Sequence, residues 1–101
     1  MSNQEASAPV RVLKIRNKLG MHARAAVKFV QLAGRFESEI FVEKDGDQVN
    51  GKSIMGLLTL VAALGMEIKL SAEGPDAQTA VDQLTALVNS GFDEGVVDAD
   101  A

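Results

Sequence analysis

The sequence predicts an α+β domain in which helices cover one face of an antiparallel sheet, and three observations support this. Apolar and polar residues alternate near Leu13 and again near Ile68, as in half-buried strands. Helical spacing of apolar residues follows positions 22, 53 and 76, and a central Asp45-Gly46 pair suits a hairpin turn. The resulting order, β-α-β-β-α-β-α, is typical of a split βαβ arrangement.

The first strand and the first helix are predicted on either side of residues 17–20. Leu13 and Ile15 share one face of the strand, whereas Lys14 and Arg16 share the other. The helix follows with apolar residues at i, i+3, i+4 and i+7, and Gly34 is expected to end it in the left-handed conformation. Its predicted inner face is formed by Ala26, Phe29, Val30 and Ala33.

The predicted hairpin joins strands over residues 37–44 and 48–50, and a second helix follows. Ser53 is its expected N-cap, and the helix is predicted to run to about Leu64 with Gly65 ending it. The helix is more apolar than one buried stripe requires. The stripe comprises Leu57, Leu60, Val61 and Leu64, whereas Met55 and Leu58 fall outside it and Ile54 lies at its border. These last three residues form either a docking surface or a region covered by a neighbouring loop.

The fourth strand and third helix have the clearest periodicity. Met66, Ile68 and Leu70 alternate with polar residues, and the helix is expected to begin after Asp76 and end at Gly91. Its predicted inner face comprises Ala77, Ala80, Val81, Leu84 and Val88. We predict a single domain over residues 10–91, between a flexible segment at 1–9 and a solvated acidic tail at 92–101.

The composition of the 101-residue chain, 47% of it hydrophobic, permits one compact core. Since cysteine is absent, disulfides, thiol catalysis and cysteine-ligated zinc are excluded, and a single histidine argues against a metal site. The first nine residues lack the apolar core of a secretory signal, and the longest apolar stretch, residues 54–66, is too short to span a bilayer. We expect a cytoplasmic protein with no membrane insertion and no cofactor.

The charge distribution is uneven, although the net charge is only −4. Seven bases and no acid lie between Arg11 and Arg35, whereas thirteen of the fourteen acids follow Arg35. The only histidine, His22, therefore lies in the one positive region, which favours an anionic ligand or an acidic partner. Alternatively, the bases form a solvated strand edge and helix face.

The motif "GMHARAA" at residues 20–26 places His22 at the start of the first helix. A neutral imidazole has a free lone pair that can attack an electrophile. The backbone N–H groups of Ala23, Arg24 and Ala25 have no carbonyl partners within the helix, so they could receive phosphate oxygens together with the Arg24 guanidinium. This set suffices for phosphoryl transfer, although a solvated helix cap would show the same pattern.

Together with "NGKSIMG", in which Ser53 follows His22 by thirty-one residues, this motif resembles the histidine-containing phosphocarrier (HPr) family of the bacterial phosphotransferase system, from about Val10 to Gly91. The resemblance implies an open-faced sandwich of a four-stranded antiparallel sheet and three helices. It implies that His22 is phosphorylated on Nδ1 by enzyme I, which phosphoenolpyruvate charges, and passes the group to IIA domains. Arg24 would clamp the phosphate.

The resemblance also assigns roles to the second helix. Ile54, Met55 and Leu58 match the apolar surface by which such carriers meet their partners. Ser53 matches a serine that an HPr kinase/phosphorylase modifies in many members. A phosphate there would be tolerated by the helix dipole and would repel an acidic partner, but Ser53 could equally act only as a cap.

One departure leaves the biological role open. Ala25 stands where the sugar-type carriers usually have proline, and "HARAA" resembles the nitrogen-type regulatory paralogues. A regulatory binding protein controlled through Ser53 alone is a further alternative. A nucleic-acid-binding α/β module is a remote one, because the chain is acidic and its four phenylalanines lack the stacking pattern of an RNA-binding sheet. We expect a monomer.

Overall fold

The computed structural model describes residues 8–97 and confirms the predicted α+β order. Its elements are β1 (Val10–Lys14), α1 (Ala23–Ala33), β2 (Glu39–Lys44), β3 (Asp47–Asn50), α2 (Ile54–Thr59), β4 (Glu67–Glu73) and α3 (Ala77–Asn89). The strands form one antiparallel sheet in the order β1-β4-β2-β3. The open four-stranded sheet with three helices is the arrangement that the resemblance implied.

The core lies on one face of the sheet, as the alternation of residues predicts. In the register of β1 with β4, Leu13 stands opposite Ile68, and in that of β2 with β4, Val42 stands opposite Leu70. All four side chains are buried, whereas Val12 on the opposite face of β1 is exposed. Helix α3 packs against β1 and β4, and α1 packs against α2 and α3. The predicted inner face of α3 is confirmed, since all five of its residues are buried.

Helix α2 ends at Thr59, so the prediction that it runs to Leu64 is wrong. The chain turns after Leu60, where Val61 takes a positive φ of 51° and is 72% exposed instead of joining the buried stripe. The carbonyl of Ala62 accepts the Met21 N–H at 2.8 Å. Gly20 lies so close that a Cβ atom there would come within 2.5 Å of the Ala62 oxygen. The hydrogen bond between Ala62 and the β1–α1 loop is therefore formed by residues that no longer continue the helix.

Two helix ends differ in detail from the prediction. Gly34 follows α1 with a φ of −66°, which is right-handed and not left-handed. Asp76 precedes α3, but its carboxylate accepts the Ser38 hydroxyl and the N–H groups of Glu37 and Ser38 instead of capping the helix. The hydrogen bond from the Ser38 side chain, followed by that from the Glu37 amide, holds the pKa of Asp76 below its ordinary value. Asp76 thus ties the start of α3 to the segment before β2.

The chain beyond α3 packs on the domain instead of forming the solvated tail expected from residue 92. Gly91 takes a φ of 69°, its N–H bonds the Val88 carbonyl, and the Phe92 N–H bonds the Leu87 carbonyl at 2.9 Å. This pattern is a Schellman motif, in which the residue after the left-handed glycine turns back onto the helix. Phe92 is fully buried as a result. Residues 1–7 of the expected flexible segment and residues 98–101 of the expected tail lie outside the described residues.

Candidate functional site

The loop between β1 and α1 holds His22 through a compact set of hydrogen bonds. Asn17 is fully buried, and its Nδ2 donates to the Gly20 carbonyl at 2.8 Å. The same carbonyl accepts the His22 N–H at 2.9 Å, while the Met21 amide is bound to Ala62. Gly20 has a φ of 66°, which a residue with a side chain adopts only with strain. His22 is therefore fixed at the N-cap position of α1, as predicted.

The imidazole of His22 faces the opening turn of its own helix. Its Nδ1 accepts the Arg24 N–H at 3.3 Å, and the side chain keeps 25% of its surface exposed. The first-turn amides of a helix lack carbonyl partners within the helix, and the helix dipole adds positive charge at this end. Of the three predicted donor residues, Ala23 and Arg24 are exposed, whereas Ala25 is buried. The ring thus remains partly exposed to solvent, and its Nδ1 lies beside groups that favour an anion.

The other ring nitrogen contacts Glu94, a residue of the predicted tail. Nε2 of His22 lies 2.6 Å from Oε2 of Glu94, and Oε1 of Glu94 accepts the Asn17 Nδ2–H at 3.1 Å. Desolvation alone would raise the pKa of Glu94, but hydrogen bonds from Asn17 and His22 and the charges of His22 and Lys28 outweigh it and lower that pKa. An ionised carboxylate can only accept hydrogen bonds. In the neutral ring the proton therefore belongs on Nε2, and the lone pair on Nδ1.

An open groove of about 760 Å³ lies beside this pair. Lys18, Arg24 and Lys28 line it together with Glu94, so the groove concentrates part of the basic region seen in the sequence. Arg24 is exposed, as an anion clamp requires, whereas the Lys28 ammonium donates to the Phe92 carbonyl at 2.9 Å. His22 itself does not line the groove, which adjoins the site through Glu94 and Arg24, and the three basic side chains favour an anion near this part of the surface.

Helix α2 displays the predicted polar and apolar residues at its first turn. Ser53 is the N-cap, and its Oγ accepts the Gly56 N–H at 2.9 Å. Ile54 and Met55 are exposed, Met55 by 74%, and Leu58 is half-buried. We call these three residues the α2 surface. Among the described residues, no neighbouring loop covers Met55, which favours the docking interpretation over the covered one.

Within residues 8–97 no group of three or more side chains could hold a metal ion. No helix of the described part of the chain has the length and apolarity needed to cross a membrane.

Comparison with known proteins gives consistent matches over the folded region. A family model described as the PTS HPr component phosphorylation site matches residues 10–90. The phosphocarrier protein HPr of Neisseria meningitidis is 52% identical over 83 residues, which cover 82% of this chain and 93% of that protein. A crystal structure of HPr-C-His from Thermoanaerobacter tengcongensis superposes with a TM-score of 0.84 at 46% identity, covering 87% of this chain and 99% of that one.

A second kind of relative is the HPr-like protein Crh of Bacillus subtilis. It is 50% identical over 76 residues, covering 75% of this chain and 89% of Crh. A crystal structure of Crh, described as a catabolite repression protein in a domain-swapped dimer, covers 97% of this chain and 100% of its own, with 42% identity and a TM-score of 0.68.

Proposed function

The chain belongs to the HPr family of phosphocarrier proteins, and from this premise we propose that it carries a phosphoryl group of the phosphotransferase system on Nδ1 of His22. One observation supports this assignment above the others. The Glu94 carboxylate, 2.6 Å from Nε2, favours the ring form in which the lone pair is on Nδ1, at the N-terminus of α1. The nucleophilic atom and the anion-favouring end of the helix therefore coincide.

The proposed transfer needs no further base. The Nδ1 lone pair attacks the phosphorus atom held by the phosphohistidine of enzyme I, a new N–P bond forms, and the donor N–P bond breaks, returning its electron pair to the donor ring. The Arg24 N–H that now faces Nδ1 at 3.3 Å can turn to a phosphoryl oxygen, and the Arg24 guanidinium can bind the others. Passing the group to a IIA domain reverses these events. The chain acts as a phosphorylated intermediate between enzymes, without a metal or cofactor.

The α2 surface is the proposed contact for both enzyme I and the IIA domains. Its Met55 is the most exposed apolar side chain of the three and has an adaptable thioether, which suits successive partners.

We propose a monomeric cytoplasmic carrier. In this carrier β1 pairs with β4 of the same chain over five residue pairs.

A regulatory role is the second candidate, and Ala25 favours it. This buried residue in the first turn of α1 replaces the proline of sugar-type carriers, as in the nitrogen-type paralogues. Alanine leaves an N–H that proline lacks, so the phosphate chemistry is retained in either branch.

Nucleic-acid binding has less support from the structure than from the sequence, because Phe29 and Phe92 are fully buried and cannot stack on bases.

The direct test is incubation of the protein with phosphoenolpyruvate and a bacterial enzyme I, followed by intact-mass measurement. We expect one added phosphate that is lost in acid and persists in alkali, because a phosphohistidine N–P bond is acid-labile. A known HPr, labelled in parallel, is the control for enzyme I. If the control is labelled and this protein is not, the proposed function is wrong.

A regulatory phosphate on Ser53, added by an HPr kinase/phosphorylase, is proposed to block docking. We expect Ser53→Asp to slow phosphorylation by enzyme I by about tenfold, because it places a negative charge beside the α2 surface. Aspartate also caps helices well, so the fold should be retained. The measurement is the initial rate of phosphate incorporation.

Ser53→Ala is the matched control for that substitution. It removes the cap on the Gly56 N–H and should cost about 1 kcal/mol of the free energy of unfolding. Its transfer rate should stay within about twofold of the wild type, since no charge is added. Equal rates in Ser53→Asp and Ser53→Ala would rule out electrostatic control at this position.

A further inference from the structure

We infer that Glu94 is a positioning residue for phosphoryl transfer, which holds the Nε2–H form of His22 and balances the positive charge that its ring acquires. This inference rests on the proposed function. Glu94 follows the region matched by the family model, which ends at residue 90, and its role comes from the contacts in this structure.

The chain after α3 is built so that Glu94 reaches the ring across a sequence separation of seventy-two residues. Phe92 is buried in the core and anchors the segment two residues before Glu94. The turn over residues 91–95 is tight, since a Cβ atom on Gly91 would come within 2.3 Å of the Gly95 carbonyl oxygen. Beyond the turn, the Val97 N–H bonds the Arg16 carbonyl at 2.8 Å. Glu94 is therefore held on both sides by contacts with the folded domain.

The two carboxylate oxygens of Glu94 have different hydrogen-bond partners. Oε1 accepts the Nδ2–H of buried Asn17, which fixes the plane of the carboxylate, and Oε2 faces Nε2 of His22. The Glu94 side chain keeps 16% of its surface exposed, so neighbouring groups cover most of it although the residue as a whole lies at the surface. Because Asn17 also binds the Gly20 carbonyl, a single buried amide aligns both the carboxylate and the histidine loop.

The same contact changes its role when the ring is phosphorylated. As the Nδ1 lone pair enters the N–P bond, the ring keeps its Nε2 proton and becomes an imidazolium. The Glu94 carboxylate, whose Oε2 lies 2.6 Å from Nε2, accepts that proton in a hydrogen bond and stabilises the cation, as an aspartate does in a serine-protease triad. Lys28 and Arg24 flank the site and offset the repulsion between Glu94 and the incoming phosphate. Loss of the carboxylate should therefore slow acceptance of the phosphoryl group.

Imidazole ¹⁵N NMR tests the tautomer without any transfer step, and the single histidine makes the two ring signals unambiguous. In the wild type we expect a protonated Nε2 and an unprotonated Nδ1 at a pH where the ring is neutral. Glu94→Gln keeps the shape but has only one acceptor oxygen for the two N–H donors of Asn17 and His22. We expect this variant to populate both tautomers and to accept phosphate from enzyme I about 10- to 100-fold more slowly.

Asp93→Asn is the matched control, because it removes one negative charge at the adjacent position. Asp93 bonds Ser90 and takes a positive φ that asparagine tolerates well. We expect its ¹⁵N spectrum to match the wild type and its transfer rate to stay within about twofold. Unchanged ring signals in Glu94→Gln, or an unchanged transfer rate, would overturn the inference. Absence of label on the wild type would instead overturn the proposed function, whatever the tautomer.

Discussion

His22→Asn is expected to abolish acid-labile phosphorylation, lowering the enzyme I-dependent label by more than about 1,000-fold while leaving α1 folded. No other imidazole exists in the chain to take over the reaction. Asparagine is among the best N-cap residues, so it can accept the Arg24 N–H that Nδ1 now accepts. The label is measured by intact mass, and the fold by circular dichroism and thermal unfolding.

His22→Ala separates the chemical role of the residue from its structural role. It should lose the label equally but also about 1 kcal/mol of stability relative to the asparagine variant, because the cap is gone. Both variants lose the contact with Glu94, so that contribution cancels in the comparison. Acid-labile phosphate on either variant would show that the acceptor is another residue.

Much of the fold could be predicted because its elements have a simple period. The buried positions of β1, β4 and α3 follow from alternation and from i, i+3, i+4 spacing, since each element buries one face on a single core. The position of His22 at the start of α1 followed from the apolar stripe after it. These are local signals, and neighbouring residues are enough to read them.

The features that were missed depend on contacts between distant segments. Helix α2 has the composition to continue to Leu64, but Ala62 instead binds Met21, some forty residues away. The sequence predicts Glu94 to be a solvated acid, because the tail shows neither helical nor strand periodicity, yet its carboxylate contacts His22. One local signal was present: an apolar residue directly after the glycine that ends a helix is typical of a Schellman motif, and Gly91-Phe92 fits it. That pair could have indicated a packed segment, although not its contact with His22.

Phe92→Ala is expected both to destabilise the fold and to disturb the site at His22. Phe92 is fully buried, and removing a buried phenylalanine ring costs about 3 to 5 kcal/mol. Because Phe92 anchors the chain two residues before Glu94, we also expect the His22 tautomers to mix and transfer to slow, as in Glu94→Gln. Urea denaturation gives the free energy of unfolding, and ¹⁵N NMR gives the state of the ring.

Two variants separate anchoring from general destabilisation. Phe92→Leu keeps much of the apolar volume, so it should cost about 1.5 kcal/mol or less and preserve the Nε2–H form of His22. Val96→Ala changes an exposed side chain of the same segment and should alter stability by no more than about 0.5 kcal/mol. If Phe92→Ala loses stability but keeps the wild-type ring signals, the hydrogen bonds of Asn17 and Val97 alone suffice to place Glu94. The site would then depend on the loop before α1 more than on the anchor after α3, since Asn17 belongs to that loop.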